Sequence, residues 1–443
     1  MREMKNSGIE WIGEIPSDWK TLRMKSCFIQ RDGGAWGDEA TGEDGDTICL
    51  RIADFDYGRF VFKDTVPENL TKRNYTSEVI EKLRLNKDDI LIEKSGGGEK
   101  TPVGRTVIFD KDYVALFANF MDRLRCADFI YPKYMQYTFV TFYKNQYTRN
   151  YIKQTTGIQN LDLTSMLSNE TVPFPHYIEQ KRIADLLDEK CAEIDTVIEK
   201  TKVTIEEYKK LKQSVITQAV TKGIRPNRAM KDSGIEWIGK IPADWKVSRV
   251  GLHFNIILGK MLCPNQISDE YTLEPYYCAA NVHFDGISKT DLKTMWFSPT
   301  EKEQYRVRTG DLLVVEGGAG AGGCAVVGVV EQEIYIQNSI MIVRNESNDN
   351  RFLRYYIESL VKRGYIDVVC NKATIPHFTK DKLSTMPYPV LDPTEQLSIA
   401  NYLDKKCSEI DELIAKKTSL LSELESYKKS LIYEYVTGKK EVK

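Results

Sequence analysis

One stretch of this chain is written twice. Residues 7–19 read SGIEWIGEIPSDW and residues 233–245 read SGIEWIGKIPADW, identical at eleven of thirteen positions. A second echo joins EQKRIADLLDEKCAEIDTVI (179–198) to EQLSIANYLDKKCSEIDELI (395–414). Weaker echoes join DILIEKSGGG (89–98) to DLLVVEGGAG (311–320), and ANFMDRLR (118–125) to QNSIMIVR (337–344). Each copy runs to about 220 residues, far beyond the roughly 20–50 residues of a solenoid repeat. The match is close at the ends of each copy and sparse inside it. Drift after duplication would not spare the ends so selectively. The pattern predicts a duplicated scaffold, kept alike by one mechanical job, carrying two inserts that meet different things.

The repeated 179–222 and 395–437 segments predict long helices. Ile183, Leu187, Ile194, Ile198, Ile205, Tyr208, Leu211 and Val215 step by three, four or seven in the first. Ile399, Leu403, Ile410, Ile414, Leu421, Leu424, Tyr427 and Leu431 do so in the second. A narrow apolar stripe flanked by charge marks a helix seam. Asp392-Pro393-Thr394-Glu395 opens the second helix with an N-cap acid, proline at N1 and glutamate at N3. Each helix would span about 65 Å at 1.5 Å per residue. Packing the two stripes on each other, as an antiparallel pair about a pseudo-two-fold axis, hides both.

The interiors read as mixed α/β (α+β). Strands are expected at 47–55, 89–94, 105–110, 311–316, 324–332 and 333–344, runs rich in β-branched residues and bounded by Gly, Pro and Asp. Helical stretches are expected near 131–152 and 351–366, and residues 223–233 look like a linker. The expected divisions are 1–175 and 224–391 for the variable domains (the latter with its linker), and 176–223 and 392–443 for the helices.

Composition narrows the function. Lys and Arg number 62 against 64 Asp and Glu, a net charge of −2, so positive charge for any nucleic-acid partner must be local. The mean hydropathy is −0.40 and no apolar stretch nears the roughly 20 residues a membrane span needs. The opening MREMKNSGIEWIGEIP lacks a signal peptide's apolar run, so a cytoplasmic protein without membrane contact is expected. The nine cysteines are never closer than 15 residues and the four histidines are dispersed, so neither a disulfide framework nor a metal site is expected.

No catalytic apparatus emerges. Gly318, Gly320 and Gly323 satisfy G-x-G-x-x-G after a strand, but a dinucleotide site needs a helix next, and CAVVGVVEQ reads as strand. The G-x-x-x-x-G-K-[ST] phosphate loop and the Asn/Asp-Pro-Pro-aromatic signature of amino-methylation are both missing. Binding chemistry is better represented. Lys94, Ser95, Gly96 and Lys100 sit on the first glycine loop, with Arg105 beyond it. Tyr143, Tyr147 and Tyr151 are interleaved with Lys144, Arg149 and Lys153, a pattern able to grip phosphates although aromatics at that spacing more often build a core. Gln159 and Asn160 follow in one copy, and Lys372, Thr374, His377 and Lys380 stand at the matching place in the other. Amide and basic side chains suit base edges in the major groove. With Gly318 and Gly320, these are the candidate DNA contacts.

The whole arrangement resembles the specificity subunit of type I restriction-modification systems. The likeness rests on the IEWIGEIPSDW and IEWIGKIPADW openings, the D-I-L-I and D-L-L-V strands before glycine loops, and Thr-Gly-Ile-Gln-Asn-Leu at 156–161. Val-Pro-Phe-Pro (172–175) and Met-Pro-Tyr-Pro (386–389), each followed by Glu-Gln and Ile-Ala at a helix head, complete it. Copy 2 departs from the pattern, with Thr374 in place of Gly157 and Pro376-His377 in place of Gln159-Asn160. The resemblance implies two target-recognition domains, each reading one half of a bipartite asymmetric target in double-stranded DNA. It implies a non-catalytic chain whose helices set the spacing and dock two methyltransferase subunits, with restriction/translocase subunits joining after. AdoMet, ATP and Mg²⁺ would then belong to those partners, and none to this chain. A coiled-coil scaffold with two protein-binding domains stays open as the alternative, and a nucleotide-dependent enzyme more distantly.

Overall fold

The computed structural model describes residues 2–42, 45–155, 157–370 and 376–442. Lys372 and Thr374 lie outside the described residues, as does Thr156. Contacts divide the chain into two compact units: unit 1 holds residues 1–202 and 419–443, and unit 2 holds residues 203–418. The long helices are Tyr177–Lys222 and Pro393–Val436, so each leaves its first half in one unit and its second half in the other.

Unit 1 is built on an antiparallel four-stranded sheet in the order Thr106–Ile108, Ile90–Glu93, Met121–Cys126, Phe28–Gly33. A second sheet runs Ala115–Phe117, Asp46–Leu50, Lys72–Asn74, Asp38–Glu39. The helix Pro132–Lys144 buries Tyr134, Phe139 and Phe142 in a core shared with Ile183, Leu187, Ile194 and Ile198 of the first long helix. Leu431, Ile432 and Val436 of the second long helix join it. Unit 2 repeats the first sheet as Cys324–Val326, Leu312–Val315, Ile340–Arg344, Asn255–Leu258. Its helix Asn350–Lys362 packs with Ile399, Leu403 and Cys407.

Inside each unit the early part of one long helix lies beside the late part of the other, the antiparallel arrangement. Asp195 meets Lys428 in unit 1, and Lys212 meets Asp411 in unit 2. Ile183, Leu187, Ile194, Ile198, Ile205, Ile399, Leu403 and Ile410 are buried, and Ile414 and Leu421 half-buried. Leu211 and Tyr427 depart from the expected stripe, at 49 % and 54 % exposed.

The repeated sequence ends explain themselves as one junction built twice. Met4–Asn6 pairs with Glu14–Pro16, and Met230–Asp232 with Lys240–Pro242. Each hairpin delivers a buried tryptophan to the head of a long helix. Trp19 Nε1 donates to Glu179 at 2.9 Å, and Trp245 Nε1 to Glu395 at 3.2 Å. Arg2 bridges Glu179 and Asp18, while Arg228 bridges Glu395 and Asp244. The next residue is a fully buried glutamine. Gln180 accepts from Tyr131 N and donates to Phe129 and Pro175 carbonyls, and Gln396 satisfies Asp349 N and the Leu391 carbonyl. Buried polar groups must be paired, so each member of this clasp constrains the rest.

Several elements are shorter than the sequence pattern predicts. The strand expected at 47–55 stops at Leu50, because the Asp54 carboxylate accepts from Arg51 N at 2.7 Å and closes a 3₁₀ turn. The strand expected at 324–332 stops at Val326, and 333–344 breaks into Tyr335–Ile336 and Ile340–Arg344 around a turn closed by Ile340 N to Gln337 O. The helical stretch 131–152 ends at Lys144, after which Gln146 turns left-handed, and 351–366 breaks at Gly364. Within the expected linker 223–233, residues 230–232 are a paired strand.

Candidate nucleic-acid interface

In unit 1 the glycine loop and the amide-rich segment form one edge. Ile152–Thr155 pairs with Ile158–Leu161 as a hairpin, and Ser95–Gly96 adds to its outer strand, Ser95 facing Asn160 and Gly96 facing Gln159. Leu161 N donates to Lys94 O at 2.7 Å, and Ser95 Oγ donates to Asn160 Oδ1 at 2.7 Å. Gly98 and Thr101 exchange two main-chain hydrogen bonds, closing the loop and presenting Lys100 to solvent. Gly97 takes a φ of +59°, and a Cβ there would meet Thr101 O and Val103 N at 2.9 Å. That turn requires glycine.

The candidate residues divide into those at the edge and those committed inside. Lys100, Arg149, Lys153 and Asn160 are exposed. Lys153 reaches Asp162 at 2.7 Å, and that hydrogen bond, with those from Ser165, holds the Asp162 carboxyl down at about 2. Ser95 and Gly96 are half-buried on the edge, where Lys94 pairs with Asp122 at 2.6 Å. Arg105 is corrected from a contact to an internal support. Its guanidinium makes two 2.7 Å bonds to Glu93 and stacks 3.5 Å from the Tyr57 ring centroid. Burial pushes the Glu93 carboxyl up even with this partner. Gln159 is likewise turned inward, accepting from Val103 N at 3.3 Å. Lys144 is exposed and lies 5.2 Å from the Phe60 ring, its pKa lowered by lost hydration at the ammonium and then by Lys428. The tyrosines serve the core: Tyr143 donates to Pro102 O, Tyr147 packs on Trp11 and Phe142, and Tyr151 donates to Glu170.

Unit 2 builds the same edge from different residues. Phe378 N donates to Glu316 O, as Leu161 N does to Lys94 O, and Gly317 bridges His377 antiparallel, as Ser95 does Asn160. His377 and Lys380 are exposed there. Gly318 has a φ of +91° and donates its N–H to Pro376 O; neither Gly318 nor Gly320 has an atom within 4 Å of an added Cβ. The loop runs on into the strand Cys324–Val326, so no helix N-terminus faces Gly318–Gly323 as a pyrophosphate would require.

A feature the motifs did not flag borders the unit 1 edge. Phe120 O accepts from both Lys94 N and Ser95 N. Beside it opens a recess of about 450 Å³ lined by Trp36, Arg51, Ile52 and Phe120. Arg73 stacks 4.7 Å from the exposed Trp36 ring. The Gly-Gly-Ala-Trp-Gly run at 33–37 was the available signal, since Gly34 lets the loop press on the Phe117 and Ala118 carbonyls. Among the described residues no group of His, Cys, Asp and Glu could hold a metal, and no helix is long and apolar enough to cross a membrane.

Two matched edges on two matched scaffolds define a duplicated recognition module. The type I restriction modification DNA specificity domain matches residues 16–207 and again 242–423, and the chain belongs to that family. It is 24 % identical over 450 residues to the putative type I restriction enzyme MjaX specificity subunit of Methanocaldococcus jannaschii, covering 98 % of this chain and 96 % of that one. It is 26 % identical over 216 residues to the StySPI specificity subunit of Salmonella potsdam, covering 47 % and 44 %. The fold matches a chain from a structure on complex assembly and conformational transition of the type I R-M system, with TM-score 0.71 and 16 % identity over 96 % of this chain and 99 % of that one. The HsdS subunit of Thermoanaerobacter tengcongensis matches with TM-score 0.55 and 15 % identity, covering 96 % and 98 %. The chain's role is DNA recognition, and it is non-catalytic, as specificity subunits are.

Proposed function

We propose that units 1 and 2 each read one half of a bipartite, asymmetric duplex target, and that two methyltransferase subunits dock on the helical scaffold. The carrying observation is the contrast between an unchanged junction and two unlike edges. The Trp-Glu-Gln clasp is the same in both units, whereas one edge pairs Asn160 with Ser95 and the other pairs His377 with Gly317. Base edges are read by the edge side chains, while exposed Lys100, Arg149, Lys153 and Lys380 serve the phosphates. Lys372 and Thr374 remain candidates of the same kind. A repeated partner is supported by apolar residues exposed at matching positions: Val197 and Leu413 at 44 % and 41 %, and Leu211 and Tyr427 at 49 % and 54 %. AdoMet, ATP and Mg²⁺ belong, on this reading, to the methyltransferase and the restriction/translocase subunits, and the complex works in the cytoplasm.

The test maps methylated adenines in a host carrying this chain with its methyltransferase partner. A two-part motif with a fixed spacer is expected, and a single palindrome would sink the reading. Asn160→Ala should relax one half-motif alone, and His377→Ala the other. Lys100→Ala should weaken binding to all DNA evenly and reduce the salt slope by about one.

A further inference from the structure

The two scaffolds carry the same cross-helix ion pair, and only one is covered. In unit 1 Lys428 Nζ meets Asp195 at 2.6 and 2.7 Å, both side chains are 11 % exposed, and the Gly58 carbonyl lies 3.4 Å from the ammonium. In unit 2 the matching pair, Lys212 and Asp411, is 24 % and 54 % exposed.

Hairpin length makes the difference. Phe55–Asp56 pairs with Val61–Phe62 around a four-residue tip, Tyr57 to Phe60. Val282–His283 pairs with Gly286–Ile287 around two residues, Phe284 and Asp285. Both tips are anchored alike. The Phe60 carbonyl accepts from Gln136 and its ring lies under Lys144; the Phe284 carbonyl accepts from Arg354 and its ring lies 5.6 Å from Lys362. Two residues fewer leave the second tip short of Lys212. The space left is a cleft of about 820 Å³, sharing Lys212, Phe284 and Asp285 with a recess of about 500 Å³.

The lining says what kind of molecule fits. Arg351 is paired with Asp404 at 2.7 Å, Arg354 with Glu358 at 3.0 Å and Lys212 with Asp411 at 2.6 Å. Asp285 and Glu412 are exposed on its wall. Its cations are thus neutralised while carboxylates remain, which repels a phosphate backbone. Unit 1 shows what complements such a place: a tight turn of polypeptide offering a main-chain carbonyl to the lysine.

We propose that a turn of the methyltransferase subunit fills this cleft, bringing a carbonyl to Lys212 and a basic side chain to Asp285 and Glu412. Only one of the two docked copies makes this contact, because the equivalent place in unit 1 is taken by the chain itself. The inference rests on the methyltransferase-docking reading above.

Methyltransferase uptake by the full chain, followed by titration and native mass spectrometry, tests it. The double variant Asp285→Arg, Glu412→Arg changes only exposed charges, and grafting the four-residue tip of unit 1 in place of Phe284-Asp285 plugs the cleft. Either should weaken one of two association steps at least tenfold and leave the other unchanged, while Glu303→Arg, off the cleft, should change neither. Two unchanged steps, or equal weakening of both, would overturn the proposal. A wild-type chain that takes up no methyltransferase would overturn the docking reading itself, and the proposal with it.

Discussion

Ahead of its glycine loop unit 1 carries Lys94, and at the matching place unit 2 carries Glu316. One residue earlier the contrast is as large: Glu93, buried and doubly bonded to Arg105, against the fully buried apolar Val315. Unit 1 therefore ties its edge through Arg105 to Tyr57, on the hairpin whose Gly58 covers Lys428. Unit 2 holds its edge by apolar packing and leaves its scaffold lysine open. Below the edges the two units converge on the same tryptophan, glutamate and glutamine. Duplication has thus preserved the buried junction that both units share. The edges, and the residues that support them, have diverged together.

The largest effects should fall where the units agree. Trp19→Ala and Trp245→Ala each remove a fully buried ring and should each cost about 3–5 kcal/mol in urea unfolding. Losses differing by more than about 1.5 kcal/mol would break the claim that the junctions are equivalent.

The next effects belong to unit 1 alone. Arg105→Met strands Glu93 in the interior, at about 3–5 kcal/mol. With burial alone acting on Glu93, its folded-state pKa lies above the unfolded one. The variant is then most stable at low pH, where Glu93 is protonated, and loses stability as pH rises through the raised folded value. Thermal unfolding of the variant from pH 4 to 8 should show that decline, and Glu93→Gln in the same chain should flatten it. A pH-independent loss would mean that water reaches the site.

Lys428→Met and Lys212→Met compare the covered and open pairs directly. About 3 kcal/mol is expected for the first and less than about 1 kcal/mol for the second. Equal losses would erase the difference made by hairpin length. The smallest effect is at Asp162, which caps Leu163–Asn169 and is held low by Lys153 and Ser165. Its contribution is present above the unfolded carboxylate value and lost as pH falls through about 2. Asp162→Ala should therefore lower the neutral plateau slightly, and its difference from the unsubstituted chain should shrink as pH falls toward 2.

The helices and the duplication were legible from the chain because a 3.6-residue period over more than forty positions is hard to mistake, and the repeated ends are nearly identical. Strand limits were less so. Asp54, Gln337 and Gly364 end elements through single side-chain or backbone bonds that periodicity does not register. At the edge, the motifs marked these segments but not the direction of each side chain. Arg105 and Gln159 read as contacts in the sequence, yet Glu93 and the Val103 amide take them inward.

Sequence alone therefore determined that one scaffold was made twice and that its interiors differ, since local period and repetition are written along the chain. Only tertiary structure decided which polar groups are already satisfied and which face solvent. Glu93 and Arg105 lie twelve residues apart, but Asp195 and Lys428 meet across most of the sequence. So do Gly58 and Lys428. Whether a lysine is buried or open there depends on two residues in a distant hairpin, a distance no local pattern carries.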